Sequence, residues 1–289
     1  MTGILLLGGH GTRLFPCTEI VNKQLLPLYN KPLFFYSLST LINLDVDNLC
    51  IVARRQDIPY YKKFLIKPFK AAHLTITFIP QDEPLGIAHA ISLCEKHVKE
   101  DFYYTLLGDN VFVGDISQVP IKQALLPYKK PWILTAQVAN PNQYGVVDPT
   151  LWRVIEKPTT PRGDQAVTGL YYLPKESFSV IRNLKPSLRG EYEIADVINH
   201  YMQDDMIRVL KTDVYGLNWF DCGNFDDILD CAALIKSVES RTGVLFGDFV
   251  AELTRKHNAK IRFNYVSEYL QSIKSLDYSS KFKKRIDLT

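Results

Sequence analysis

The sequence predicts an α/β fold: a mostly parallel sheet covered by helices on both faces, followed by a mixed or antiparallel extension and C-terminal helices. Three observations predict it. Up to residue 110, short apolar runs alternate with segments of helical spacing. Those runs are too uniformly apolar to have a solvated face, which is the pattern of parallel strands covered on both sides. Polar, glycine-bearing loops recur where the runs end, and open α/β sheets hold ligands at the carboxyl ends of their strands.

In chain order, Ile4 to Leu7 is an apolar run that reads as a buried strand, and a glycine-rich turn follows it, Gly8-Gly9-His10-Gly11-Thr12-Arg13. From Lys31 to Leu44, the residues Leu33, Phe34, Leu38, Leu41 and Ile42 fall at helical spacing. Asn48 to Ala53 is a short buried strand, and Ile58 to Ile66 a helix that ends near Pro68. Leu74 to Pro80 alternates as a strand does. A loop from Gln81 to Gly86 leads to a helix over Ile87 to Val98, and the strand Phe102 to Leu107 stops at Gly108-Asp109-Asn110. The middle of the chain then changes character. Ile133 to Val138, Tyr144 to Val147, Trp152 to Pro158 and Ala166 to Leu173 are strand-like, with few helices between, and predict an extension that lids the parallel half. Glu193 to Tyr201 reads as a helix, and Ile207 to Leu210 and Val214 to Trp219 as strands that end at Phe220-Asp221-Cys222-Gly223. Phe225 to Val238, Phe249 to His257 and Tyr265 to Leu276 read as helices. No linker tract divides the chain. Residues 1–240 are expected to form one domain, with a nucleotide half (about 1–130) and a sugar-binding extension (about 131–223). Residues 241–289 are expected to be a helical segment packed on it.

Composition narrows the function. A net charge of +3 over 289 residues is too small to imply nucleic acid, and the run Lys281 to Arg285 reads as a solvated tail. Five cysteines without a C-x-x-C pair support neither a zinc knuckle nor a disulfide framework. Reduced thiols, no signal-like N-terminus and no apolar run near the roughly 20 residues that span a bilayer predict a cytoplasmic chain without membrane contact.

The glycine loop is neither G-x-G-x-x-G nor G-x-x-x-x-G-K-[ST], and a tight strand-to-helix turn is the alternative reading. Its bare N–H groups, with Arg13 and Lys23 added, suit a phosphate. Asp109 and Asp221 each follow a strand end close to a glycine. Either Asp can cap a helix. As a pair beside an anion loop they suit one Mg²⁺, a hard cation that takes one or two carboxylates and completes its shell with phosphate oxygens and water. Glu156-Lys157-Pro158 and Thr168-Gly169-Leu170-Tyr171 offer a hydroxyl acceptor, a phosphate cation, a close backbone approach and an aromatic face; a plain surface strand with a bulge reads the same residues as well. No serine or cysteine stands in a nucleophile motif, and neither His10 nor His89 is given a catalytic role.

The segment from Gly8 to Pro16, with Lys23-Gln24-Leu25-Leu26-Pro27, resembles the signature of the sugar-1-phosphate nucleotidylyltransferases, most nearly their glucose-1-phosphate thymidylyltransferase branch. Leu107 to Asn110, Tyr144 to Val147, Glu156 to Pro158, Val167 to Tyr171, Leu184 to Glu191 and Trp219 to Gly223 carry the resemblance on, in order, from residue 3 to about 240. It implies a Rossmann-like fold of the nucleotide-diphospho-sugar transferase type. It also implies an Mg²⁺-dependent transfer of a nucleoside monophosphate from dTTP to glucose 1-phosphate, in a homo-oligomer, tetramer or dimer. By position, Gly8, Gly9, Gly11, Thr12 and Gln24 would hold the nucleotide, and Gln81 and Gly86 would read the base. Asp109 and Asp221 would bind the metal. Gly145, Glu156, Val167 and Tyr171 would line the sugar site, and Arg13, Lys23 and Lys157 would contact the phosphates. The pattern departs at Leu7, His10, Leu85 and Cys222, where the family carries Ala, Ser, Asp and Thr, and it matches poorly over Val244 to Lys260. UTP or another nucleotide in place of dTTP, and an inactive sugar-nucleotide-binding regulator, are the competing readings.

Overall fold

The computed structural model describes residues 1–9, 11–125 and 129–256. Its strands are β1 (Thr2–Leu6), the short hairpin β2 (Pro27–Leu28) and β3 (Lys31–Pro32), β4 (Asn48–Ala53), β5 (Thr75–Pro80), β6 (Phe102–Leu107), β7 (Asn110–Val113), β8 (Trp132–Gln137), β9 (Gly145–Asp148), β10 (Arg153–Glu156), β11 (Gln165–Pro174), β12 (Arg208–Lys211) and β13 (Asn218–Asp221). Its helices are α1 (Cys17–Ile20), α2 (Leu33–Asn43), α3 (Ile58–Ala71), α4 (Ile87–Ser92), α5 (Gln118–Ala124), α6 (Ser177–Arg182), α7 (Ile194–Gln203), α8 (Phe225–Thr242) and α9 (Phe249–Lys256).

Successive residues of a strand face opposite ways, so an apolar run must find cover on both sides. That is what happens here. Leu5, Leu7, Leu49, Ile51 and Ala53 pack with Phe34 and Leu38 of α2 and Leu65 and Phe69 of α3. Ile4, Leu6, Cys50 and Val52 pack on the other face with Ala88 and Ile91 of α4 and Val197 and Ile198 of α7. The principal sheet has nine strands in the order β10-β9-β11-β6-β1-β4-β5, with β8 paired to β11 and β12. β1, β4, β5 and β6 are parallel, whereas β11 runs antiparallel to β6, β8 and β9. The chain runs outward from β1 to β5 and returns to β6 on the other flank of β1. This sets the topological switch between β1 and β6, where ligands of such sheets sit.

The structure departs from the sequence reading in several places. The antiparallel strands do not lie over the parallel half; β11 pairs edge-on with β6 and widens the same sheet. α3 continues through Pro68 to Ala71. The proline removes the one hydrogen bond its N–H would have made to the Phe64 carbonyl, and the buried Phe69 and Ala72 nonetheless fix the last turn to the core. The helix expected over Ile87 to Val98 stops at Ser92 and resumes as a short 3₁₀ turn, Glu95–His97. Val214 to Trp219 splits into a 3₁₀ turn, Thr212–Tyr215, and β13, because Gly216 turns left-handed between them. β7, α5 and α6 were not foreseen. The helix expected over Tyr265 to Leu276 lies outside the described residues. α9 packs on α2, with the Phe249 ring edge-on to Phe35 at 4.8 Å.

Candidate active site

After β1 the backbone turns left-handed at Gly11 (φ +62°). A β-carbon there would stand 2.9 Å from Cγ2 of Thr18 and 3.1 Å from Cβ of Lys23, so only glycine lets the stem of Lys23 lie against the loop. Thr18 Oγ1 donates to the Gly11 carbonyl at 3.0 Å, and Thr12 and Arg13 open an exposed 3₁₀ turn. Lys23 rides on a second turn capped by Asn22, whose Oδ1 accepts from the N–H of Gln24 at 2.9 Å. Asn22 Nδ2 donates to Asp57 at 2.7 Å and to the Leu7 carbonyl at 3.3 Å. This ties the lysine turn to the end of β1.

Lys23 Nζ donates to Asp109, which follows β6. The Lys23 and Asp109 side chains are only 12% and 13% exposed. Burial opposes charge on Asp109, yet the Lys23 ammonium beside it, helped by the Asn110 amide, holds the carboxyl below the ordinary range. β13 pairs with β7 so that Asp221 lies opposite Asn110, and Cys222 N–H donates to the Asp109 carbonyl at 2.9 Å. Two strand ends from distant parts of the chain thus bring the two aspartates together. Burial, and then the charge of Asp109, push the Asp221 carboxyl up to about 6, against the pull of Arg13 and Lys23. Arg13 Nη2 stands 3.6 Å from Asp221. A β-carbon on Gly223 would stand 2.3 Å from that same nitrogen, so the guanidinium lies directly over residue 223. Asn110 was missed as a functional residue by sequence reasoning. Its Oδ1 accepts from Trp219 Nε1 at 2.6 Å and from Gly169 N–H at 2.8 Å, and its Nδ2 donates to Asp109 at 3.1 Å.

These groups open into a cavity of about 700 Å³ that Arg13, Asp109, Gly145, Glu156, Lys157, Val167, Tyr171 and Asp221 all line. Elsewhere on the cavity wall, the carboxylate of Glu156 lies over Gly145. Burial pushes the Glu156 carboxyl up, against the pull of Arg189 and Lys157. Arg189 reaches Glu156 at 3.4 Å while its guanidinium holds Glu193 at 2.9 and 3.0 Å. Arg189 belongs to the Leu184-to-Glu191 motif, but nothing local in the sequence pairs it with Glu156. Tyr171 is buried, and burial first, then the charges of Glu156, Asp109 and Asp221, raise its phenol far above its ordinary range. It therefore stays a neutral hydroxyl and can donate.

The other expected residues stand around this cavity rather than in its wall. Gln81 lies with Oε1 over Gly8, and Gly86 (φ +100°) is pressed against the backbone of Tyr192. Gln24 is buried with no partner for Oε1 among the described residues. His10 lies outside the described residues. A larger cavity, about 1420 Å³, lies between α6, α7 and the turn at Leu151 to Arg153. It sits at the opposite end of the sheet, where Pro174 meets the start of β6, and gathers none of the expected site residues.

The aspartate pair fits a divalent cation. Both are hard oxygen donors on neighbouring strand ends, and the charge of Asp109 adds to the burial that pushes Asp221 up. Among the described residues no group of three or more His, Cys, Asp and Glu gathers. Two carboxylates would leave the remaining positions of such an ion to water and phosphate, the kind of shell Mg²⁺ takes. Among the described residues no helix is long and apolar enough to cross a membrane.

The chain and its fold are similar to those of known proteins. The profile of the family described as Nucleotidyl transferase matches residues 2–238. A glucose-1-phosphate thymidylyltransferase of Mycobacterium tuberculosis is 36% identical over 250 residues, which cover 84% of this chain and 85% of the relative. One of Neisseria meningitidis is 34% identical over 244 residues, covering 83% and 84%. A solved chain from Bacillus anthracis assigned as a glucose-1-phosphate thymidylyltransferase superposes with a TM-score of 0.74 at 30% identity, covering 87% of this chain and 99% of that one. A UDP-glucose pyrophosphorylase complexed with UDP-glucose shares the fold, with a TM-score of 0.69 at 20% identity.

Proposed function

The chain belongs to the nucleotidyl transferase family, and from that premise we propose that it transfers a nucleoside monophosphate from dTTP to glucose 1-phosphate, releasing dTDP-glucose and pyrophosphate. The relatives named for that reaction support the substrates. The observation that carries the reading is one side chain: Lys23 lies against the glycine loop and donates to Asp109, so the loop and the metal carboxylate share a cation.

In this reading a phosphate oxygen of the sugar phosphate attacks the α-phosphorus in line, and pyrophosphate leaves. The nucleophile is already an anion and needs no general base. The obstacle is repulsion between two polyanions, and positioning and fixed charge overcome it. Backbone N–H groups of Gly8, Gly9 and Gly11, with Thr12, cradle the triphosphate. Gln24, Gln81 and Gly86 hold the nucleoside. Glu156 accepts from hexose hydroxyls, and Gly145, Val167 and Tyr171 complete that wall. Arg13, Lys23 and Lys157 screen the phosphates. Asp109 and Asp221 would hold the divalent ion, Mg²⁺ in this reading, which when bound supplies positive charge to the phosphoryl oxygens. Residues 1–130 form the nucleotide half and residues 131–223 the sugar half.

The test is pyrophosphate release from dTTP, UTP and CTP with glucose 1-phosphate and Mg²⁺. Release that needs the sugar phosphate and favours dTTP supports the reading. Equal or better use of UTP overturns the choice of nucleotide, and no release with any triphosphate overturns the reaction.

A further inference from the structure

Gln81 follows β5, and its amide has two neighbours. Its Oε1 is 2.7 Å from where a β-carbon of residue 8 would stand, so the carbonyl lies over Gly8. Its Nε2 stands 3.5 Å from Nδ1 of His89, on the first turn of α4. Two further contacts touch that histidine, one at its backbone and one at its ring. Ser92 Oγ donates to the His89 carbonyl at 2.7 Å, and its ring centroid is 6.4 Å from that of Tyr192. The Tyr192 backbone is in turn tied to α4 and the preceding loop, accepting from Ala88 N–H at 3.2 Å and donating to the Leu85 carbonyl at 2.8 Å.

The amide of a glutamine can turn over about its last torsion at little cost, and its hydrogen-bond partners decide which end faces where. A neutral imidazole with its proton on Nε2 has Nδ1 as a pure acceptor. Such an Nδ1 accepts from Gln81 Nε2 and opposes the flipped amide, which would set two acceptors against each other. The geometry points to His89 as a positioning residue that decides which pyrimidine is read: by fixing the Gln81 amide, it keeps the carbonyl acceptor toward the Gly8 side and leaves one N–H free beside it. That acceptor–donor pair complements the imide edge of thymine or uracil, where N3–H donates and a ring carbonyl accepts. Cytosine carries the reverse pattern, an N3 acceptor and an N4 amine donor, and is refused. A site built to pair with one edge rejects the other because its polar groups are left unmatched. The 5-methyl group plays no part, so this selects thymine and uracil together over cytosine. The inference rests on the proposal that Gln81 reads the base.

The experiment compares kcat/KM for dTTP and for CTP, with glucose 1-phosphate and Mg²⁺, in the wild type, His89→Leu and His89→Asn. Leucine removes the acceptor. Asparagine places Oδ1 where Nδ1 stood and keeps it. The expected result is a dTTP-to-CTP ratio that falls about tenfold or more in His89→Leu, through the two KM values, with kcat for dTTP little changed. His89→Asn retains most of the ratio. Thermal unfolding checks each variant; should His89→Leu not fold, His89→Ala serves the same arm. A ratio unchanged in the acceptor-free variant overturns the inference, as does an equal loss in His89→Asn, which would make the ring's bulk the cause. A wild type that turns over no pyrimidine triphosphate instead overturns the function reading, and the inference with it. A wild type that prefers dTTP and keeps that preference without the acceptor overturns the inference alone.

Discussion

The two ends of the cavity solve the same problem in opposite ways. Each centres on carboxylates that burial disfavours. On the side of Lys23, Asp109 is held ionised by that lysine in direct contact, and a second carboxylate, Asp221, is pushed up beside it. On the side of Arg189, Glu156 is pushed up as well, and that cation is shared with Glu193. The first end is a concentrated field, suited to charge that appears during a reaction. The second is a set of hydrogen-bonding groups with balanced charge, suited to a neutral ring. A single cavity thus holds two differently charged environments, and in the proposed function the first stabilises charge and the second recognises the sugar.

Removing Lys23 should break this contrast most severely. Lys23→Met removes one of the loop's two cations and leaves Asp109 buried without its ion-pair partner. The loss at the transition state should be on the order of 2.7–4 kcal/mol, that is 10²–10³ in turnover, read as the rate of pyrophosphate release at saturating substrates. At the other end, Glu156→Gln should raise KM for the sugar phosphate by about 10-fold or more, the worth of a charged hydrogen bond, while kcat changes little. A variant that lost kcat instead would erase the distinction between the ends. Asn110→Leu tests the join between them. It orphans the N–H groups of Trp219 and Gly169 and should cost about 1–3 kcal/mol of stability, measured by denaturant unfolding.

A further effect lies outside the cavity and sharpens the contrast by showing a buried carboxylate with no cavity to serve. Burial pushes Glu252 of α9 up to about 7, while Ser39 and Asn43 pull it down. A carboxyl raised in the folded state contributes stability below the ordinary glutamate range, and that stability is lost as pH rises through about 7. Glu252→Gln should therefore flatten the fall in unfolding free energy between about pH 4.5 and 7, worth about 1–3 kcal/mol.

How much was legible follows from where each constraint lives. The parallel half and its ligand edge were readable because Ile4 to Leu7 and Asn48 to Ala53 are apolar on both faces and end at Gly8 and Ala53, before polar loops. Asp109 and Asp221 stood out because each stands at a strand end within two residues of a glycine. The position of β11 was not readable. Nothing in Gln165 to Pro174 says that it pairs with β6 instead of lying across the sheet, since the partner is chosen by tertiary packing. Asn110 was hidden for a similar reason: its three contacts come from Asp109, Gly169 and Trp219, and two of those are remote in the chain. His89 gave no signal until Gln81 was seen beside it.

The central claim is that Asp109 and Asp221 share one ion beside the nucleotide phosphates. Anomalous diffraction from Mn²⁺ in crystals grown with the nucleoside triphosphate tests it most directly. A single peak within roughly 2.2 Å of an oxygen from each aspartate, and of a phosphate oxygen, is the predicted result. A peak on one aspartate alone, or on phosphate with both aspartates turned away, would contradict it.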